Sequence, residues 1–152
     1  MKTLIVYDSV FGNTQKLAEA MASSPDIKAV RVTDATGLAL ADFDLLLVGS
    51  PTRGFRPTPA ITEWLKSLRT GALSGRSAAA FDSRISSDKV KSGALRLMMK
   101  KFGYAAPDIE KELKKKGAVI AAPPEGFFVD ESEGPLSVGE EARAAAWIQK
   151  MI

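Results

Sequence analysis

Short apolar runs alternate along this chain with stretches in which apolar residues return every third or fourth position. Thr3–Tyr7 is brief, apolar and rich in β-branched or aromatic side chains, the pattern of a central strand. Lys28–Val32 is less apolar and reads as a strand nearer an edge. Leu45–Val48 is wholly apolar, and Ser77–Phe81 is a strand of small residues against which a helix or backbone should pack closely. Ala118–Ala121 begins another strand. Pro123 and Pro124 interrupt it because proline supplies no ladder donor, and Phe127–Val129 resumes it.

Helices fill the intervals. One is expected from about Asn13 to Ser23, with Leu17, Ala20 and Met21 on one face. A second starts at Thr58 and Pro59, a cap followed by proline in the first turn, and buries Ile61, Trp64, Leu65 and Leu68. Val90–Phe102 should place Leu95, Met98, Met99 and Phe102 in the core. Asp108–Lys116 reads as a short exposed helix ended by Gly117. Ser137 and Glu140 have capping-box spacing, and the last helix is expected over Val138–Met151 with Ala142, Ala145, Ala146 and Gln149 at helical intervals. Strand and helix therefore alternate throughout. That order favours an α/β fold, a parallel sheet covered on both faces, with right-handed crossovers placing the strand-end loops on one rim. No linker or repeat divides the 152 residues, which read as a single domain.

Composition removes several chemistries. The chain has no cysteine and no histidine. This excludes disulfides, thiolate clusters, cysteine nucleophiles and a histidine base or metal ligand. Asp8 stops the first apolar run, so that run reads as a strand and not a leader, and no run is long enough to span a bilayer. A cytoplasmic protein with no membrane contact is the expectation. Net charge is +3, and residues 88–116 hold nine Lys or Arg against four Asp or Glu. That excess is a solvated helical surface or a docking face for an acidic partner. Nucleic acid is not expected, because the cations are not interleaved with aromatics.

Three loops carry candidate chemistry. Ser9-Val10-Phe11-Gly12-Asn13-Thr14 lies between the first strand and first helix. Hydroxyls at Ser9 and Thr14 can donate to phosphate, Gly12 permits a tight turn, and the Asn13 and Thr14 amides open the helix, where an anion is favoured. The Gly-Lys-Ser/Thr ending of a nucleotide-triphosphate loop and the spaced glycines of a dinucleotide loop are both missing. Gly49–Pro59 follows the third strand. Pro51, Pro57 and Pro59 stiffen it, Gly54 permits an unusual turn, and Thr52, Arg53 and Phe55 offer polar and flat surfaces. Asp82–Ser87 follows the fourth strand, with Asp82, Ser83, Arg84 and Ser86 on the same rim and Arg84 or Ile85 able to flank a ring. Asp8, Asp82 and Asp130 share that rim but read as turn and cap groups before a metal site.

These loops resemble those of the flavodoxin family, and the likeness runs over the whole chain. Ser9, Gly12, Asn13 and Thr14 resemble its phosphate loop, Gly49-Ser50-Pro51-Thr52 its second flavin-contacting loop, and Asp82–Ser87 its third. The tail with Phe127, Phe128, Val129, Gly134, Pro135, Leu136 and Glu140 is similar to tails of flavodoxin-like domains. The resemblance implies a short-chain, three-layer sandwich with a five-stranded parallel sheet in the order 2-1-3-4-5. It implies non-covalent FMN, held by Ser9, Phe11, Gly12, Asn13 and Thr14 at the phosphate and by Pro51, Thr52, Arg53, Gly54, Phe55, Asp82, Ser83 and Arg84 round the ring. Gly54 would let a peptide turn its carbonyl toward N5 of the ring. Phe11 stands where the family often has threonine, and no tyrosine or tryptophan lies in the third loop.

The implied function is electron transfer between redox partners by an FMN protein. Arg53, Arg56 and Arg84 in the ring loops imply a less negative second reduction potential than in an acidic shuttle. The basic balance favours an acidic redox protein as partner, and a homodimer is allowed. A quinone or small-molecule reductase using FMN is the alternative, as is a binding domain of the same fold with an empty flavin site. A phosphoacceptor receiver is not expected: only Asp8 follows the first strand where an acidic pair is needed, strand three ends in Gly49-Ser50 in place of an aspartate, and no lysine follows strand five.

Overall fold

The computed structural model describes residues 1–152. A parallel sheet forms its centre, built from β1 (Thr3–Tyr7), β2 (Ile27–Arg31), β3 (Leu45–Pro51), β4 (Ser77–Ile85), β5 (Val119–Ile120) and β6 (Glu125–Val129). The order is β2-β1-β3-β4-β5, with β6 continuing the fifth position beside β4 after the proline break. This is the three-layer α/β sandwich with five strand positions in the order 2-1-3-4-5. Helices α1 (Asn13–Met21) and α5 (Glu140–Gln149) cover one face; α2 (Pro59–Ser67) and α4 (Ala105–Lys115) cover the other. Helix α3 (Gly93–Phe102) stands between β4 and α4 in the chain.

The alternation of side chains along each strand sorts the core into two. Leu4, Val6, Leu46, Val48, Ala78 and Ala80 meet Ile61, Trp64, Leu65, Ala106, Ile109 and Leu113. Ile5, Tyr7, Leu45, Leu47, Ala79 and Phe81 meet Leu17, Ala18, Met21, Phe127, Trp147 and Ile148. The alanines of β4 let α4 approach closely, as the small side chains required.

Four expectations are corrected. Of the stripe Leu95, Met98, Met99 and Phe102, only Met99 is buried, because α4 already occupies the sheet face that α3 would need. Conversely, α4 is not an exposed helix. It begins at Ala105 and buries Ala105, Ala106, Ile109 and Leu113, a stripe masked by the lysines and glutamates around it. In α5 the buried face is Ala144, Trp147 and Ile148, not Ala142, Ala145, Ala146 and Gln149. The capping box does not form, since Gly139 caps α5 with a left-handed φ of 87° and the Ser137 hydroxyl bonds Asp130 instead.

Glu140 serves β6 rather than its own helix start. Its carboxylate accepts from the Phe128 amide at 2.7 Å and from Arg143 at 2.7 and 2.9 Å. Arg143 therefore holds the Glu140 carboxyl below its ordinary value, outweighing partial burial. A depressed acid stabilises the fold above its unfolded pKa and loses that contribution as pH falls through the folded one. Glu140→Gln should cost about 2 kcal/mol at neutral pH. In urea titrations the deficit should shrink as pH drops below the ordinary carboxylate range. A deficit independent of pH would deny the ionic role.

Candidate functional site

At the carboxyl ends of β1, β3 and β4 the loops enclose a cavity of about 290 Å³. It lies where the strand order reverses direction from β1, the position at which open α/β sheets bind ligands. Its wall includes Ser9, Phe11, Asn13, Thr14, Pro51, Thr52, Arg53, Gly54, Ser83 and Arg84, ten of the thirteen residues expected. Gly12, Phe55 and Asp82 do not line it; Gly12 bonds Ser9 and Asp82 bonds Arg84, both in the wall, whereas Phe55 packs on Phe102 outside it. The wall also includes Val10 of the first loop, Ile85, which was expected to flank a ring, Val129 of the tail, and Ser132 and Glu133, which the sequence did not single out.

The first loop is organised around Ser9. Its Oγ accepts from the Gly12 amide at 3.1 Å and the Gln15 amide at 3.3 Å, which leaves its own proton to donate. Gly12 takes φ 92°, a conformation that only glycine adopts at no steric cost. The backbone N–H groups of Asn13 and Thr14 have no protein acceptor, as the first turn of a helix requires. Thr14 Oγ1 lies 3.0 Å from Ser83 Oγ, joining the first loop to β4. The Asn13 side chain donates to the Glu133 carbonyl at 3.1 Å, which brings the loop after β6 against the start of α1. From β2, Arg31 donates to the Ser9 carbonyl at 2.9 Å and pairs with Asp8 at 3.5 Å.

The second loop is a tight turn. Arg53 and Arg56 exchange both backbone hydrogen bonds, and Gly54 and Phe55 between them have φ of 55° and 70°. Positive φ at both central residues is what a type I′ hairpin turn demands. Phe55 accepts that cost with its ring packed 5.7 Å from Phe102 of α3. The Arg53 guanidinium lies over Phe11, 5.3 Å from the ring centre. Thr52 Oγ1 accepts from the Ala105 amide, so the loop is tied to the start of α4.

The third segment is corrected from loop to strand. Asp82–Ile85 extends β4 and pairs with β6, because Gly126, Phe127 and Phe128 continue the neighbouring ladder. Asp82 is fully buried and holds Arg84 through two bonds of 2.7 Å, with the Ala106 amide as a third donor. Burial pushes the Asp82 carboxyl up from its ordinary value, while Arg84 and the Ala106 amide oppose that rise. The guanidinium crosses Gly126, whose absent Cβ would lie 2.1 Å from Nε, and sits 3.7 Å from the Tyr104 ring centre. Arg84 is thus occupied by protein. Three free arginine charges at the site are reduced to Arg53, since Arg84 is neutralised and Arg56 lines a separate groove between α2 and α4. The rim aspartates are likewise paired, Asp8 with Arg31 and Asp130 with Lys89.

Fold and site together define an α/β domain with an anion-ready cavity at the reversal of its sheet. The sequence pattern of the flavodoxin domain matches residues 4–121, and the chain belongs to that family. No curated protein matches it in sequence. Among solved structures it is similar to oxidised flavodoxin 1 of Bacillus cereus, at 15% identity and TM-score 0.74 over 99% of this chain and 97% of that one. It is similar to general stress protein 14 of Treponema denticola, solved in complex with FMN, at 20% identity and TM-score 0.69 over the whole of both chains. It also matches 35% of rubredoxin oxygen:oxidoreductase from Desulfovibrio gigas, at 20% identity and TM-score 0.70 over 99% of this chain. No helix is long and apolar enough to cross a membrane.

Proposed function

We propose that this domain binds FMN and carries electrons between redox partners in the cytoplasm. The observation that carries the reading is the pair of unpartnered N–H groups at Asn13 and Thr14, opening α1 beside a hydroxyl with a proton to give. Such a helix start is an anion site without any lysine. Family membership and the likeness to an FMN complex support it.

Ser9, Asn13 and Thr14 would hold the phosphate, and Gly12 would keep the turn that aims them. Pro51, Thr52, Arg53 and Gly54 on one side, with Ser83, Ile85 and Val129 on the other, would take the ring. When bound, FMN supplies one- and two-electron chemistry that no side chain of this protein provides. The protein's part is to orient the ring, shield it from water and set the charge beside it. Arg53 favours added negative charge there, and Glu133 opposes it.

The reading is tested by loading purified protein with FMN, desalting it and recording the visible spectrum. A retained flavin band with quenched fluorescence is expected. Thr14→Ala should then weaken FMN about tenfold, one hydrogen bond to a charged group, and leave riboflavin nearly unchanged. Equal losses for both ligands would place the phosphate elsewhere.

A further inference from the structure

Helix α3 is amphipathic in an unusual setting. At 100° per residue, Leu95, Met98, Met99 and Phe102 share one face, and Arg96, Leu97, Lys100 and Lys101 fall on the other. Of the apolar stripe only Met99 is buried; Leu95, Met98 and Phe102 remain 41%, 44% and 55% exposed, with Phe102 resting against Phe55. The opposite face is a fully outward basic surface with Leu97 at its centre, 68% exposed. Lys91, Arg96, Lys100 and Lys101 have no carboxylate partner in the structure, whereas nearby Lys89 is paired with Asp130.

We propose that this outward face of α3 is the docking surface for an acidic electron-carrier protein, an inference that rests on the electron-transfer reading. Unneutralised cations steer an acidic partner and fix its orientation, while Leu97 among them, flanked by the part-exposed Leu95, Met98 and Phe102, gives a small dry contact. The position also fits electron transfer. Phe102 ends α3 on Phe55, next to Gly54 of the cavity wall, and Tyr104 and Ala105 immediately afterwards touch Arg84 and Thr52. A protein seated on α3 therefore sits beside the cavity mouth.

The test uses three probes on FMN-loaded protein: an acidic iron–sulfur ferredoxin, a basic cytochrome c, and phosphatidylglycerol vesicles. Binding is read by surface plasmon resonance, and electron transfer from reduced ferredoxin by stopped-flow absorbance. Ferredoxin should bind, weaken with salt, and associate about tenfold more slowly with the K100E/K101E protein. Leu97→Ser should instead quicken dissociation. Both variants change exposed positions, and each should keep the thermal midpoint and visible spectrum of the parent. Ferredoxin association unaffected by the charge reversal, or preferential binding of cytochrome c or vesicles, would overturn the proposal. Failure of the FMN reading shows separately, as colourless protein after desalting, because ferredoxin binding is measured on the same samples without reference to the flavin.

Discussion

Arg84→Met is expected to destabilise the fold by about 3–5 kcal/mol, the usual consequence of stranding a buried charge. Asp82 is wholly inaccessible, and beyond the Arg84 fork it has only the Ala106 amide. Without the guanidinium its carboxyl must stay charged in an apolar place or take up a proton. The variant should therefore recover stability as pH falls, since an acid whose folded pKa is raised stabilises below that pKa and is lost above it. Asp82→Asn combined with Arg84→Met should be markedly more stable than Arg84→Met alone, because no charge is then left behind. Urea denaturation between neutral and mildly acidic pH measures all three proteins. A loss under about 1 kcal/mol for the single change would mean that water reaches Asp82 and that the pair is a surface interaction.

Gly49→Ala should produce the second large effect. Gly49 lies in β3 opposite Phe81 of β4, and a Cβ built on it would stand 2.1 Å from the tip of the Phe81 ring. The ring cannot swing away. It is fully buried and packed edge-on against Phe127 and Trp147 at 6.4 and 6.1 Å. We expect a cost of about 2–3 kcal/mol from overpacking. Trp147 fluorescence should report the disturbed ring cluster before the unfolding transition. Because Phe81 directly precedes Asp82 and Gly49 leads into Ser50 and Pro51, FMN affinity should fall as well. An alanine variant as stable as the parent would show that the cluster has slack that the packing does not reveal.

Most of the framework could be read from local pattern. The apolar runs of β1 and β3, the proline break between β5 and β6, and the loop that turns at Gly12 all announce themselves in sequence. The failures share a physical cause: periodicity gives the face of a helix but not what that face meets. The stripe of α3 has the right spacing yet finds no free sheet, while the narrower stripe of α4 holds the sheet with alanines that look unremarkable in sequence. Asp82 and Arg84 were singled out as candidates, but not that they would bind one another. That pairing depends on Gly126 and Tyr104, which lie far along the chain. Ser132 and Glu133 were missed for a similar reason. They reach the cavity because the loop after β6 is held to Asn13, a contact across 120 residues of sequence.

The account turns on a phosphate group seated at the start of α1. A crystal structure of the protein grown with FMN measures this directly. Phosphate density is expected within hydrogen-bond distance of the Asn13 and Thr14 backbone N–H groups and the Ser9 hydroxyl, with the ring between the loop after β3 and the ends of β4 and β6. FMN bound with its phosphate at another surface, or that helix start meeting only solvent while the flavin is saturating, would contradict it.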